Sequence, residues 1–183
     1  MGPADADPLD AATSLVHEAS ERGIPVRLVG GLAVRVLCPA FPPRARKGQD
    51  LDLASISSAR PALTSFLQDR GFVPDKFFNN LHGHKQLYFG APDGQRSLDV
   101  MLDRLDMCHV LEFRHRIERM PVTLDATDLL LSKLQIFEIN EKDLQVALYL
   151  LAGLPVREGT RQGPSGWPGS ARCSGRTGGG GGP

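Results

Sequence analysis

Three aspartates and a glycine pair carry the chemistry this sequence could do: Asp50 and Asp52 in Asp50-Leu51-Asp52, Asp99 in Leu98-Asp99-Val100, and Gly30-Gly31 upstream. Asp50 to Ile56 reads as a strand, and side chains two apart on a strand leave from the same face. Asp50 and Asp52 would therefore share one face, with Leu51 and Leu53 on the other. A neighbouring strand bringing Asp99 would complete a set able to hold one or two divalent ions. Magnesium takes carboxylate and phosphate oxygens while keeping several waters. Two such ions about 3.5–4 Å apart can activate an attacking hydroxyl and stabilise a departing pyrophosphate. Gly30-Gly31 falls between a short apolar strand, Ile24 to Val29, and a helix beginning near Leu32. A turn without side chains lets backbone N–H groups come close to phosphate oxygens, and a helix N-terminus favours anions. Alone, the triplet is an ordinary solvated strand edge and the glycine pair an ordinary turn. Their order joins them: strand, Gly-Gly, helix, strand with paired aspartates, helix, hairpin, strand with aspartate.

The elements that must position these residues follow from periodicity. Leu9, Ala12, Leu15, Val16 and Ala19 recur at helical spacing, and Gly23 is the stop. Pro39, Pro42 and Pro43 end the helix over Leu32 to Leu37 and lead into a basic loop of Arg44, Arg46 and Lys47. Ser58 to Arg70 reads as a helix with Leu63, Phe66 and Leu67 inward. His84 to Phe89 and Ser97 to Leu102 alternate around Pro92-Asp93-Gly94, a hairpin signal. Asp125 is the predicted N-cap of a helix over Ala126 to Phe137, with Asp128 in its first turn, and Glu141 to Leu151 forms another helix after a weak break at Asn140. From Glu158 onward glycine, serine, arginine and proline dominate, too apolar-poor to offset ordering entropy. So abrupt a change is also what a frameshifted or truncated end would give. The predicted fold class is α/β (α+β): a small mixed, twisted sheet flanked by helices. Residues 1–122 would form the core, 123–154 a short helical C-terminal part and 155–183 a disordered tail.

Bulk properties exclude several classes. The 183 residues, 41% hydrophobic and 23% charged, suit one globular domain with a tail. A formal net charge of zero argues against a whole face adhering to nucleic acid. Cys38, Cys108 and Cys173 form neither a paired framework nor a CxxC spacing. The start lacks a basic n-region, and no apolar run approaches the roughly 18 residues that cross a bilayer. A cytoplasmic, membrane-free protein is expected.

These motifs together resemble the polymerase-beta-like nucleotidyltransferase superfamily, and within it the small bacterial AbiEii-type and related minimal transferases, which include the toxin halves of abortive-infection pairs. The resemblance runs over roughly residues 24 to 150. It rests on Leu28-Val29-Gly30-Gly31-Leu32-Ala33-Val34, Gln49-Asp50-Leu51-Asp52-Leu53, Leu98-Asp99-Val100, Leu130-Leu131-Ser132-Lys133-Leu134-Gln135 and Glu141-Lys142-Asp143-Leu144-Gln145. It implies a nucleotidyltransferase fold and transfer of a nucleoside monophosphate from an NTP to a hydroxyl of RNA, protein or a small molecule. It also implies that Gly30 and Gly31 contact the triphosphate and that Asp50 and Asp52 bind metal. Asp99 would complete the metal site or act as base, and two Mg2+ ions are expected. Lys133 would reach the nucleotide phosphates, while Lys142 and Asp143 sit at the nucleotide edge or brace the helix. A defence role would bring a cognate antitoxin as partner. The chain departs from the pattern in the eighteen residues between Gly31 and Asp50, and in Val146, where the family commonly has an aspartate.

Other residues have blander readings. Asp103 shares the predicted strand face of Asp99 but reads as solvated surface. His82 and His84 lack a third nitrogen or sulfur ligand nearby and read as a hairpin shoulder. Arg114, His115, Arg116 and Arg119 read as a solvated face, or as a landing strip for RNA or nucleotide. Two rival functions remain beside the transferase: an inactive nucleotide-binding or protein-interaction module on the same scaffold, and a two-metal nuclease.

Overall fold

The computed structural model describes residues 7–42, 50–92, 94 and 96–153. The predicted basic residues Arg44, Arg46 and Lys47, the turn residue Asp93, Cys173 and the 155–183 tail lie outside the described residues.

Helix α1 (Pro8–Glu21) begins where Asp7 accepts a hydrogen bond from the Leu9 N–H and Pro8 takes the first helical position, at which its missing N–H costs nothing. Strand β1 (Val26–Leu28) leads through Val29 directly into α2 (Gly30–Leu37), so Gly30 belongs to the helix rather than to a turn before it. Strand β2 (Leu51–Ser55) follows, then a 3-10 turn over Ser57–Ala59 and α3 (Arg60–Gln68). The next elements are β3 (Val73–Pro74), α4 (Lys76–His82), and the predicted hairpin of β4 (Gln86–Gly90) with β5 (Ser97–Leu102). A two-stranded arm, β6 (Arg104–Asp106) and β7 (Val110–Glu112), precedes α5 (Ala126–Leu134) and α6 (Glu141–Gly153). Sequence patterning missed β3, α4 and the arm, and it carried α5 three residues too far, to Phe137.

The main sheet runs β1-β2-β5-β4-β3 and is mixed: β2 and β5 are parallel, the other pairs antiparallel. Leu53, Val100 and Leu87 meet in register across its centre and are fully buried, with Leu98, Leu102 and Phe89 beside them. Because side chains alternate, the opposite face receives Asp52, Asp99 and Tyr88, also in register. One face of the sheet is therefore core and the other carries the site. The chain returns to the sheet edge at 122–124, where Leu28 and Thr123 bridge in parallel.

The two C-terminal helices pack on each other and on α2, with Val146 and Leu150 of α6 in the common core. Val146 is wholly buried, a position where an unpaired aspartate would be costly. Asp125 caps α5 by accepting from the N–H groups of Thr127 and Asp128 at 2.9 and 3.0 Å. Asp125→Ala is expected to cost about 1 kcal/mol, read as a lowered Tm; an unchanged Tm would mean that the cap contributes nothing.

Candidate active site

The parallel pairing of β2 with β5 sets Asp52 directly beside Asp99 on the open face of the sheet. Neither residue's own stretch of sequence could enforce this; it is a consequence of register. On the other side Asp52 is met by α2. Gly30 adopts φ +64, and a Cβ there would come within 2.3 Å of Asp52 Oδ2. The absence of a side chain is what lets that carboxylate occupy the start of the helix, while the Val29 N–H donates to the Asp52 carbonyl at 2.9 Å. Gly31 is buried behind it.

Asp99 is fixed from β4: Gln86 Nε2 donates to its Oδ1 at 2.8 Å. Burial pushes the Asp99 pKa up, the Gln86 hydrogen bond opposes this, and the charge of Asp50 adds to the rise. Asp50, just before β2, is exposed; its Oδ1 accepts from Ser97 N–H and Oγ at 3.0 and 2.8 Å. With Asp50 so engaged, no three His, Cys, Asp or Glu side chains form a ready metal cage among the described residues. The donor set still suits a hard cation. Asp52 and Asp99 stand side by side on one face of the sheet, Gly30 admits the Asp52 carboxylate at the start of α2, and Asp50 would join on leaving Ser97.

A raised carboxyl pKa means that the folded chain holds the Asp99 proton more tightly than the unfolded chain does. Stability is then lost as pH rises from the unfolded value of 3.8 through the higher folded one. Asp99→Asn keeps an acceptor for Gln86 and removes the buried charge. In metal-free buffer it is expected to raise Tm at pH 7, and the advantage should shrink as pH falls through the raised folded value toward 3.8. A variant less stable than the parent at pH 7 would contradict this.

From Gly30 and Asp52 a cavity of about 240 Å³ runs beneath the arm to α5, which contributes Asp128, Ser132 and Lys133. Lys133 Nζ is 2.8 Å from Asp143 Oδ1, and Asn140 donates to Asp143 Oδ2 at 2.6 Å, so Asp143 acts by holding the lysine. Lys142 is exposed and is not a lining residue of the cavity.

The stretch read as a basic face is exposed at Arg114, His115 and Arg119 and half-buried at Arg116. Arg114 lies 3.8 Å from Asp103, Arg119 3.4 Å from Asp125, and Arg116 2.8 Å from Asp128. Phe113 and Ile117 between them are core residues. Asp103, expected on the surface, is instead a corner residue at φ 64 whose Oδ1 accepts from the Ser57 N–H at 3.0 Å. His82 closes α4 with its ring 4.7 Å from that of Phe78.

Asp128 is the residue that sequence reasoning missed. It was visible only as a first-turn acid, yet its side chain is 1% exposed. Arg116 Nη2 donates to the Glu112 carbonyl and lies beside Asp128 Oδ1 without hydrogen-bond geometry, leaving both carboxylate oxygens buried and without a hydrogen bond. Burial raises the Asp128 pKa, Asp125 adds to this, and Arg116 opposes it.

Known structures share this architecture. The lincomycin-bound lincosamide antibiotic adenylyltransferase LnuA superposes with a TM-score of 0.52 at 14% identity, over 77% of this chain and 94% of that one. ANT(2″)-Ia in complex with adenylyl-2″-tobramycin gives 0.52 at 13% identity, over 79% and 87%. This chain has a nucleotidyltransferase fold. A solution structure of ANT(2″)-Ia, an antibiotic-resistance factor, agrees with a TM-score of 0.50 at 13% identity, over 78% of this chain and 84% of that one. No family model matches the sequence, and no curated protein does. With this nucleotidyltransferase fold, the Asp52–Asp99 pair beside Gly30 stands on the sheet face that opens into the cavity. No helix among the described residues is long and apolar enough to cross a membrane.

Proposed function

We propose that this chain is a metal-dependent nucleotidyltransferase that moves a nucleoside monophosphate from an NTP to the hydroxyl of a small molecule. The observation that carries the reading is the in-register Asp52–Asp99 pair against the side-chain-free start of α2, with Asp52 lining a cavity that Ser132 and Lys133 also line. Asp52, Asp99 and Asp50 would hold magnesium, which would supply charge neutralisation for the phosphates. The chain's own residues do the rest. Gly30 lets the Asp52 carboxylate sit against the helix start, whose N-terminal end favours phosphate. Lys133, oriented by Asp143, adds a positive charge on the α5 side. Asp99 Oδ1 is occupied by Gln86, which leaves Oδ2 either to complete the metal site or to take the acceptor's proton.

A small-molecule acceptor is favoured over RNA because Arg114, Arg116 and Arg119 are each matched by a carboxylate, and because the proteins of the same fold named above act on antibiotics. The division into a 1–122 core and a 123–154 helical part fits a cavity whose walls come from both. One observation favours a second reading, an AbiEii-type protein with a protein partner such as an antitoxin: Leu144, Leu148 and Leu151 stand exposed along α6. Transfer from alpha-labelled ATP, GTP, CTP and UTP with magnesium into a lysate separates these readings. Label in a metabolite supports the proposal, label in RNA or protein supports the second reading, and no incorporation by folded protein refutes transferase activity.

A further inference from the structure

The cavity beside Asp52 is built for a molecule with two unlike ends. Gly30, Ser132 and Lys133 suit phosphate, whereas Met101, Leu105, Phe113 and Leu129 make apolar walls. Asp128 lines the same space five residues before Lys133, about 7.5 Å along the axis of α5. Its oxygens are the conspicuous anomaly: buried in a residue that lines the cavity, ion-paired with Arg116 at 2.8 Å, and accepting no hydrogen bond. A buried acceptor without a donor is costly in a folded protein and calls for a partner. Arg116 cancels its charge, so the pair repels a triphosphate little and suits a neutral N–H better than a cation.

We propose that this part of the cavity binds the nucleobase of the donor triphosphate, with the Asp128 carboxylate accepting a hydrogen bond from the base's exocyclic amine. A flat ring with an amine at one end and phosphates at the other matches the cavity, whereas a hydroxyl acceptor has no need of the phosphate-binding side. The inference rests on the nucleotidyltransferase reading and adds base recognition to it, with Asp128 as the residue that reads the base and Arg116 as its positioning residue.

Equilibrium binding with magnesium and no acceptor tests it on the full chain. ATP is compared with purine riboside triphosphate, GTP with ITP, and CTP with its 4-deamino analogue. In at least one pair, loss of the amine should weaken binding about tenfold, as for a hydrogen bond to a charged group. In R116M/D128L, which removes both charges together, that discrimination should disappear while the amine-free analogue binds as before. The wild-type comparison needs no variant and stands if the double variant fails to fold. Equal binding within all three pairs, or preference for UTP, overturns base reading by Asp128 and leaves the transferase proposal intact. Binding of no nucleotide at all overturns both.

Discussion

Asp52→Asn is expected to lower kcat/KM for nucleotidyl transfer by about a thousandfold, roughly 4 kcal/mol of transition-state stabilisation, while leaving Tm nearly unchanged. The asymmetry follows from what the residue does in each role. Its backbone carbonyl accepts from the Val29 N–H whatever the side chain, so the link between β2 and the start of α2 survives. Its carboxylate, in register with Asp99 and against Gly30, is where charge would be concentrated for a phosphoryl centre. An amide keeps the volume and removes that charge. Asp50→Asn should fall in the same direction, and its amide oxygen can still accept from Ser97. Steady-state rates with a labelled NTP, beside thermal melts, decide the matter. Full activity in either variant removes that residue from the metal-binding set.

The residues that could do chemistry were legible because strand alternation and glycine carry their meaning locally. Asp50-Leu51-Asp52 declares a face, and Pro92 to Gly94 declares a hairpin. The partnership of Asp52 with Asp99 could be expected from the order of the elements, but its register could not, since that depends on the parallel pairing of strands more than forty positions apart. The β6–β7 arm was invisible because three-residue strands are too short for alternation to register. Helix α4 hid for another reason: Phe77 and Leu81 are exposed, so Lys76 to His82 has no consistent apolar face. Arg116 and Asp128 misled in the opposite sense. Charged residues in a polar run or a first helical turn are ordinarily solvated, and only tertiary packing of the arm against α5 buries this pair.

Gly30→Ala is the substitution expected to damage fold and function together, and Gly23→Ala separates the two causes. Both glycines have left-handed backbone, φ +64 and +70. Alanine at either position therefore incurs the same conformational cost, about 1–2 kcal/mol. At Gly23 nothing lies within 4 Å of the added methyl, so that cost should be the whole effect. At Gly30 the methyl meets Asp52 Oδ2 at 2.3 Å and Asp52 Cγ at 3.1 Å. Either the carboxylate swings out of register with Asp99 or the start of α2 withdraws from β2; both move the charge that the reaction needs. Tm should fall further for Gly30→Ala than for Gly23→Ala. The kcat/KM of the Gly30 variant should drop about a hundredfold, as misplacement of a reacting group by an ångström does, while the Gly23 variant retains parental activity. Equal loss of stability in the two, with activity preserved in both, would mean that the helix start and Asp52 are not coupled, and the phosphate cradle would lose its physical basis.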